Sequence, residues 1–115
     1  MNHAESALQA TCVGWFRLQY RALANVLVAV PNGGKRRLLE AVAMKKEGVT
    51  KGVSDLILLT PRKGYGCLCI EMKTKKGKQQ KSQKEWEDFT ENAGNKYVLC
   101  RSLEQFQKEI KEYLE

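Results

Sequence analysis

Two apolar runs, DLILLT (Asp55–Thr60) and GCLCIEMK (Gly66–Lys73), stand on either side of the turn-rich PRKGY. Runs of this length bounded by proline and glycine read as strands, and a short loop joins them as a hairpin. A five-residue loop, Pro61–Tyr65, pairs Thr60 with Gly66. Stepping back along both strands then sets Asp55 opposite Glu71. Directly opposed residues have Cβ atoms about 4.5–5.5 Å apart. Side chains alternate along a strand, so Cys67, Cys69, Glu71 and Lys73 share one face and Leu68, Ile70 and Met72 the other. A slip of one residue would send Asp55 and Glu71 to opposite faces, so everything built on the pair depends on this register.

The rest of the chain supplies layers for that hairpin. From Asn2 to about Leu23, Ala4, Leu8, Cys12, Trp15 and Phe16 recur at the three-four spacing of one buried helical face. NHAE, from Asn2 to Glu5, has the form of a capping box. VLVAV (Val26–Val30) reads as a buried strand, and PNGGKR interrupts it. RRLLEAVAMKKEG forms a helix that stops at Gly48, a natural left-handed terminus. QQKSQKEWEDFTENAG is helical, with Trp86, Phe89 and Ala93 expected on the inner face. KYVLC is a strand, and SLEQ (Ser102–Gln105) opens a last helix with Leu103, Phe106, Ile110 and Tyr113 or Leu114 inward. The order helix, strand, helix, hairpin, helix, strand, helix implies an α/β fold, a small mixed central sheet flanked by helices. Neither a repeat nor a linker breaks it, so residues 1–115 read as one domain.

Composition narrows the partners. The net charge of +7 favours polyanions, and its placement is more telling: from Lys73 to Lys84 there are six lysines and no acid. No apolar run approaches the ~20 residues of a membrane helix. MNHAESALQA carries an early acid and no basic leader segment, so a cytoplasmic location is expected. Cys12, Cys67, Cys69 and Cys100 match no zinc-binding spacing and read as reduced thiols. The phosphate-binding pattern G-x-x-x-x-G-K-[ST] is missing, which excludes a nucleotide cofactor of that type.

Opposed carboxylates weaken a sheet unless something positive lies between them, and a divalent cation serves. Mg²⁺ takes carboxylate, carbonyl and water oxygens. Asp55 and Glu71 offer the first kind, and the backbone carbonyl of Met72 the second. Lys73, about 6.6 Å along the strand from Glu71, is placed to serve the same substrate. It would orient a water or stabilise negative charge developing on a phosphodiester. Each residue also has a plainer role. Asp55 can simply start a strand, Glu71 and Lys73 can be a solvent-facing pair, and the lysine run can be a solvated surface.

Asp55, then fifteen residues, then Glu71-Met72-Lys73 resembles the PD-(D/E)XK nuclease signature, with Ser54 where that signature has proline. Glu5 in the first helix, PNGG after the first strand, GVSDL, EMK, and KGKQQKSQ before a helix resemble more specifically the virus-type replication-repair nuclease (VRR-NUC) domain. These segments run from Glu5 to Trp86. The resemblance implies a restriction-endonuclease-like core, with Glu5, Asp55 and Glu71 as metal-site acids, Lys73 catalytic and Gln83 at the site. Gln83 stands three residues before Trp86 on the inner helical face, and a half-buried amide satisfying backbone groups would explain it equally. The capping box likewise explains Glu5 without metal. Members commonly carry serine three residues before that glutamine; here the place is Gln80, and Ser82 is adjacent to Gln83.

A Mg²⁺- or Mn²⁺-dependent DNA endonuclease follows as the expectation. Asn32, Gly33, Gly34 and Lys35, together with Lys75, Lys76, Lys78 and Lys81, are the expected DNA contacts. So small a chain resembles phage-encoded members that act as homodimers on branched DNA such as Holliday junctions. Two other classes compete: a non-catalytic basic DNA-binding module, indifferent to loss of Asp55 or Glu71, and an interaction subunit of a replication complex, inactive without its partner.

Overall fold

The computed structural model describes residues 2–31 and 38–115, the side chains of 38–41 excepted. Helix α1 covers His3–Gln19, and its first turn is capped by the Asn2 side chain, which accepts the Glu5 N–H at 2.8 Å. The helix ends earlier than its periodicity suggests. Tyr20 leaves helical backbone (φ −124°, ψ 69°), and a 3₁₀ turn over Arg21–Val26 follows. The Tyr20 ring packs on Trp15 and Phe16, with centroids 5.9 and 5.3 Å away, and its hydroxyl donates to Glu115. That aromatic cluster turns the chain back toward the sheet. Ala4, expected inside, is exposed because the first turn of α1 runs past the core.

Strand β1 is Leu27–Ala29, helix α2 Leu38–Lys46, strand β2 Leu56–Leu58 and strand β3 Leu68–Met72. Helix α3 is Lys81–Asn92, strand β4 Lys96–Cys100 and helix α4 Leu103–Leu114. After α2 the chain turns at Gly48 in the left-handed region (φ +101°), as its sequence requires. Among the described residues the sheet runs β1-β2-β3-β4. β1 and β3 pair antiparallel with β2, and β3 pairs parallel with β4 through the α3 crossover. The hairpin register, Leu56↔Ile70 and Leu58↔Leu68, extends to Asp55 opposite Glu71, as the loop length dictates.

The two faces of the sheet differ. Leu56, Leu58, Leu68, Ile70 and Met72 are fully buried against Cys12 and Phe16 of α1 and Phe106, Ile110 and Tyr113 of α4. Each such side chain contributes about 1.5–3 kcal/mol on leaving water. The Tyr113 hydroxyl, inside this layer, donates to the Thr60 carbonyl at 2.7 Å. Ser102 caps α4 as expected, accepting the Gln105 N–H, but the Gln105 side chain accepts from Arg101 N–H instead of returning to Ser102.

The opposite face carries α3 and is polar. Here the expected inner stripe is corrected: Phe89 is 70% exposed and Ala93 is exposed too, while Gln83, Trp86, Glu87 and Thr90 turn inward. The reason lies beneath the helix. The sheet offers Cys69, Glu71 and Tyr97 there, so a stripe with amides, a carboxylate and a hydroxyl fits better than an apolar one. Thr90 Oγ1 lies 3.7 Å from Cys69 Sγ, and the Trp86 and Tyr97 rings pack at 6.1 Å.

Candidate active site

The polar face ends in a cluster at the C-terminal end of β3. Glu71 is 1% exposed, Asp55 7% and Lys73 6%. Three ionisable side chains rarely share such burial without a task or full pairing. Asp55 Oδ2 accepts the backbone N–H of Met72 at 2.7 Å, which ties the start of β2 to the end of β3. Ser54, buried immediately before it, donates its hydroxyl to the Leu56 carbonyl at 3.0 Å, so the turn into β2 is pinned on both sides of the acid. Alternation along β3 sends the Lys73 N–H the other way, to the Cys100 carbonyl of β4 at 3.0 Å.

Both oxygens of Glu71 have donors. Gln83 Nε2 reaches Oε2 at 3.1 Å, and the Tyr97 hydroxyl reaches Oε1 at 3.4 Å. Lys73 Nζ stands 4.0 Å from Oε2. Burial pushes the Glu71 carboxyl up to about 9, and hydrogen bonding with and repulsion by Asp55 add to the rise; Lys73 and the Tyr97 hydroxyl offset only part of it. Without a further cation, burial beside Asp55 therefore favours the neutral form of Glu71. Such a pair fits a hard divalent ion, since its donors are all oxygens and its charge is under-compensated.

Gln83 does two jobs. It sits in the first turn of α3, and its Oε1 accepts the Gln80 N–H at 2.8 Å, half of a capping box, while its amide N–H₂ holds Glu71. Gln80 is the N-cap residue, at the position where a serine was expected from the resemblance. The loop before Asp55 presses on the same turn. A Cβ on Gly52 (φ +88°) would lie 2.2 Å from the Ser82 carbonyl oxygen, so glycine is required for the GVSD segment to dock there.

Glu5 stands at the margin of this cluster. Its Oε1 and the Lys73 stem both border Gly77, where a Cβ would meet them at 3.4 and 3.5 Å. Among the described residues no three His, Cys, Asp or Glu side chains already form a metal cage. Asp55, Glu71, Lys73 and Gln83 are thus brought together, and Glu5 borders the same glycine as the Lys73 stem. Lys75, Lys76, Lys78 and Lys81 are exposed around the same end of the sheet, Lys81 facing Glu85 at 3.9 Å. Asn32, Gly33, Gly34 and Lys35 lie outside the described residues.

Several contributors were missed by reasoning from sequence. Tyr97 reaches Glu71 from β4, and Gln79 Nε2 donates to both the Tyr97 hydroxyl (3.2 Å) and Glu87 (2.8 Å). The only local hint was the alternation in KYVLC; the parallel register that brings Tyr97 beside Cys69 has no short-range signature. Arg101 spans from the β4–α4 turn to the lysine loop.

Comparisons agree with this architecture. The VRR-NUC domain model matches residues 1–104. A solved structure described as a VRR_NUC domain protein is similar over 99% of this chain and 90% of that chain, with a TM-score of 0.84 at 24% identity. No match to a curated protein was found.

Proposed function

Since the chain belongs to the VRR-NUC domain family, a family of nuclease domains, we propose that it is a Mg²⁺- or Mn²⁺-dependent endonuclease that hydrolyses phosphodiester bonds in branched DNA as a homodimer. The observation that carries this reading is the buried Asp55–Glu71 pair with Lys73 beside it, at the end of the sheet where the lysines gather.

Asp55 and Glu71, with Glu5 and the Met72 carbonyl, are the residues that would hold the ion. A divalent ion supplies charge neutralisation at the phosphate and acidifies water. The chain does the rest. The Met72 N–H fixes Asp55, while Gln83 and Tyr97 fix the two oxygens of Glu71. Lys73 orients the attacking water or meets the negative charge that grows on the phosphoryl oxygens, and its low exposure strengthens that interaction. The exposed lysines grip flanking phosphates. A two-fold dimer would offer two equivalent sites to a two-fold junction.

The test compares labelled four-way junction, flap and plain duplex, each with Mg²⁺, Mn²⁺ or chelator, for wild type and Lys73→Ala. Junction cutting that chelator and the substitution both abolish is expected. Equal cutting by Lys73→Ala would refute the mechanism. Junction binding without cleavage in any metal would instead favour a non-catalytic DNA-binding module.

A further inference from the structure

The lysine loop is bound from beneath by one guanidinium. Arg101 Nη1 donates to the carbonyls of Gly77 (2.6 Å) and Thr74 (2.7 Å), with a longer contact to Lys75 (3.4 Å). The Gly77 N–H also returns to the Thr74 carbonyl at 3.2 Å, closing a β-turn whose two central residues are Lys75 and Lys76. The carbonyls face Arg101, and the two lysines occupy the exposed tip. A chain with net charge +7 gains nothing obvious from a cation under a lysine run, unless that cation shapes the run. Arg101 is itself held, since its N–H is taken by Gln105 Oε1 at 2.6 Å.

We infer that Arg101 is a positioning residue for DNA: it fixes the Thr74–Gly77 turn so that Lys75 and Lys76 are presented, already ordered, to a phosphate backbone. An unclamped turn would lose that order and pay its entropy on binding. Lys73 has anchors of its own, because the Cys100 carbonyl holds its N–H and Glu71 faces its ammonium; only its stem borders the clamped turn, at Gly77. Arg101 therefore acts first on substrate binding, and on the chemical step only through the border of Gly77 with the Lys73 stem. A lysine in its place would keep the charge, but its ammonium sits one bond closer to the backbone than the Nη1 that reaches these carbonyls, and it falls short of them.

The inference rests on the nuclease reading for its kinetic part only. Arg101→Ala and Arg101→Lys are compared with wild type in limited trypsin digestion of the full chain and in junction cleavage with Mg²⁺. Both variants should be cut after Lys75 and Lys76 on the order of tenfold faster than wild type, with an unchanged melting temperature. In cleavage, KM should rise on the order of tenfold with kcat held within about a factor of three. A fall in kcat at constant KM would overturn the inference, as would faster digestion with no change in KM. If neither variant folds, wild type decides: its Lys75 and Lys76 bonds, though exposed, should resist trypsin better than the bond after Lys51, which is exposed in a turn outside helix and strand, and equal rates would refute the clamp. Should wild type fail to cut any DNA, the nuclease reading falls while the digestion still reports on the turn; the inference then stands or falls on junction affinity, expected to weaken about tenfold in both variants.

Discussion

Asp55 Oδ2 accepts the backbone N–H of Met72 at 2.7 Å, so the acid that opens β2 is fastened to the peptide that follows Glu71. The hairpin register and the site geometry are therefore one fact. Opposed pairing places the two carboxyl groups together, and this bond keeps them there although they repel.

Asp55→Asn and Asp55→Ala should part company in stability but agree in activity. Asparagine retains an acceptor for the Met72 N–H, whereas alanine leaves a buried donor unpaired, at about 1–3 kcal/mol. In chelator, Asp55→Ala should melt well below Asp55→Asn. With Mg²⁺ both should cleave on the order of 100-fold or more slowly than wild type. Equal melting temperatures would show that the Met72 bond does not hold the strand ends.

How much of this was legible in the sequence depends on the range of each interaction. The Asp55–Glu71 opposition followed from the length of PRKGY and the two-residue period of its flanks, both local. The position of Gln83 came from the resemblance and from helical spacing, again local. Tyr97 came into reach only through parallel pairing across the α3 crossover, which no neighbouring residues encode. Phe89 was misplaced inside because an apolar residue at helical spacing normally faces the core; here the surface under α3 is polar. The early end of α1 is set by Tyr20 packing against Trp15 and Phe16 and bonding to Glu115, the last of them far away in sequence.

A pH dependence follows from Glu71. Its folded value, about 9, lies above the ordinary 4.5, so the native state holds the proton more tightly than the unfolded chain. The stability contributed by that proton is complete below the unfolded value and is lost as pH rises toward the folded one. Glu71→Gln cannot ionise and escapes the loss. In chelator, its melting temperature relative to wild type should climb steadily between about pH 5 and about pH 9. A difference that stays flat across that range would mean Glu71 is not held protonated by burial beside Asp55.

Tyr97→Phe removes one hydroxyl and little volume. It deprives Glu71 Oε1 of a donor and Gln79 of an acceptor. Groups that orient a metal-binding side chain typically matter by roughly 10–100-fold in metal affinity or activity. The Mg²⁺ concentration for half-maximal cleavage should rise within that range while the melting temperature changes little. Gln83→Ala should shift it in the same sense, since it frees the other oxygen. If Tyr97→Phe leaves the Mg²⁺ dependence unmoved, its hydroxyl does not position Glu71.

Gly52 and Gly94 offer a matched pair of probes. Both adopt positive φ, +88° and +95°, so alanine strains either backbone by about 1–2 kcal/mol. Only at Gly52 does the new methyl collide, 2.2 Å from the Ser82 carbonyl oxygen, whereas at Gly94 nothing lies within 4 Å. Relieving the collision means moving the first turn of α3, and with it the Gln83 amide, away from Glu71. Gly52→Ala should accordingly lose more than about 2 kcal/mol, and its cleavage rate should drop well below that of Gly94→Ala. Urea unfolding and junction cleavage of the two variants check this directly. Matching losses in both measurements would mean that the GVSD loop does not steer the glutamine, and that Gly52 matters for its backbone angle alone.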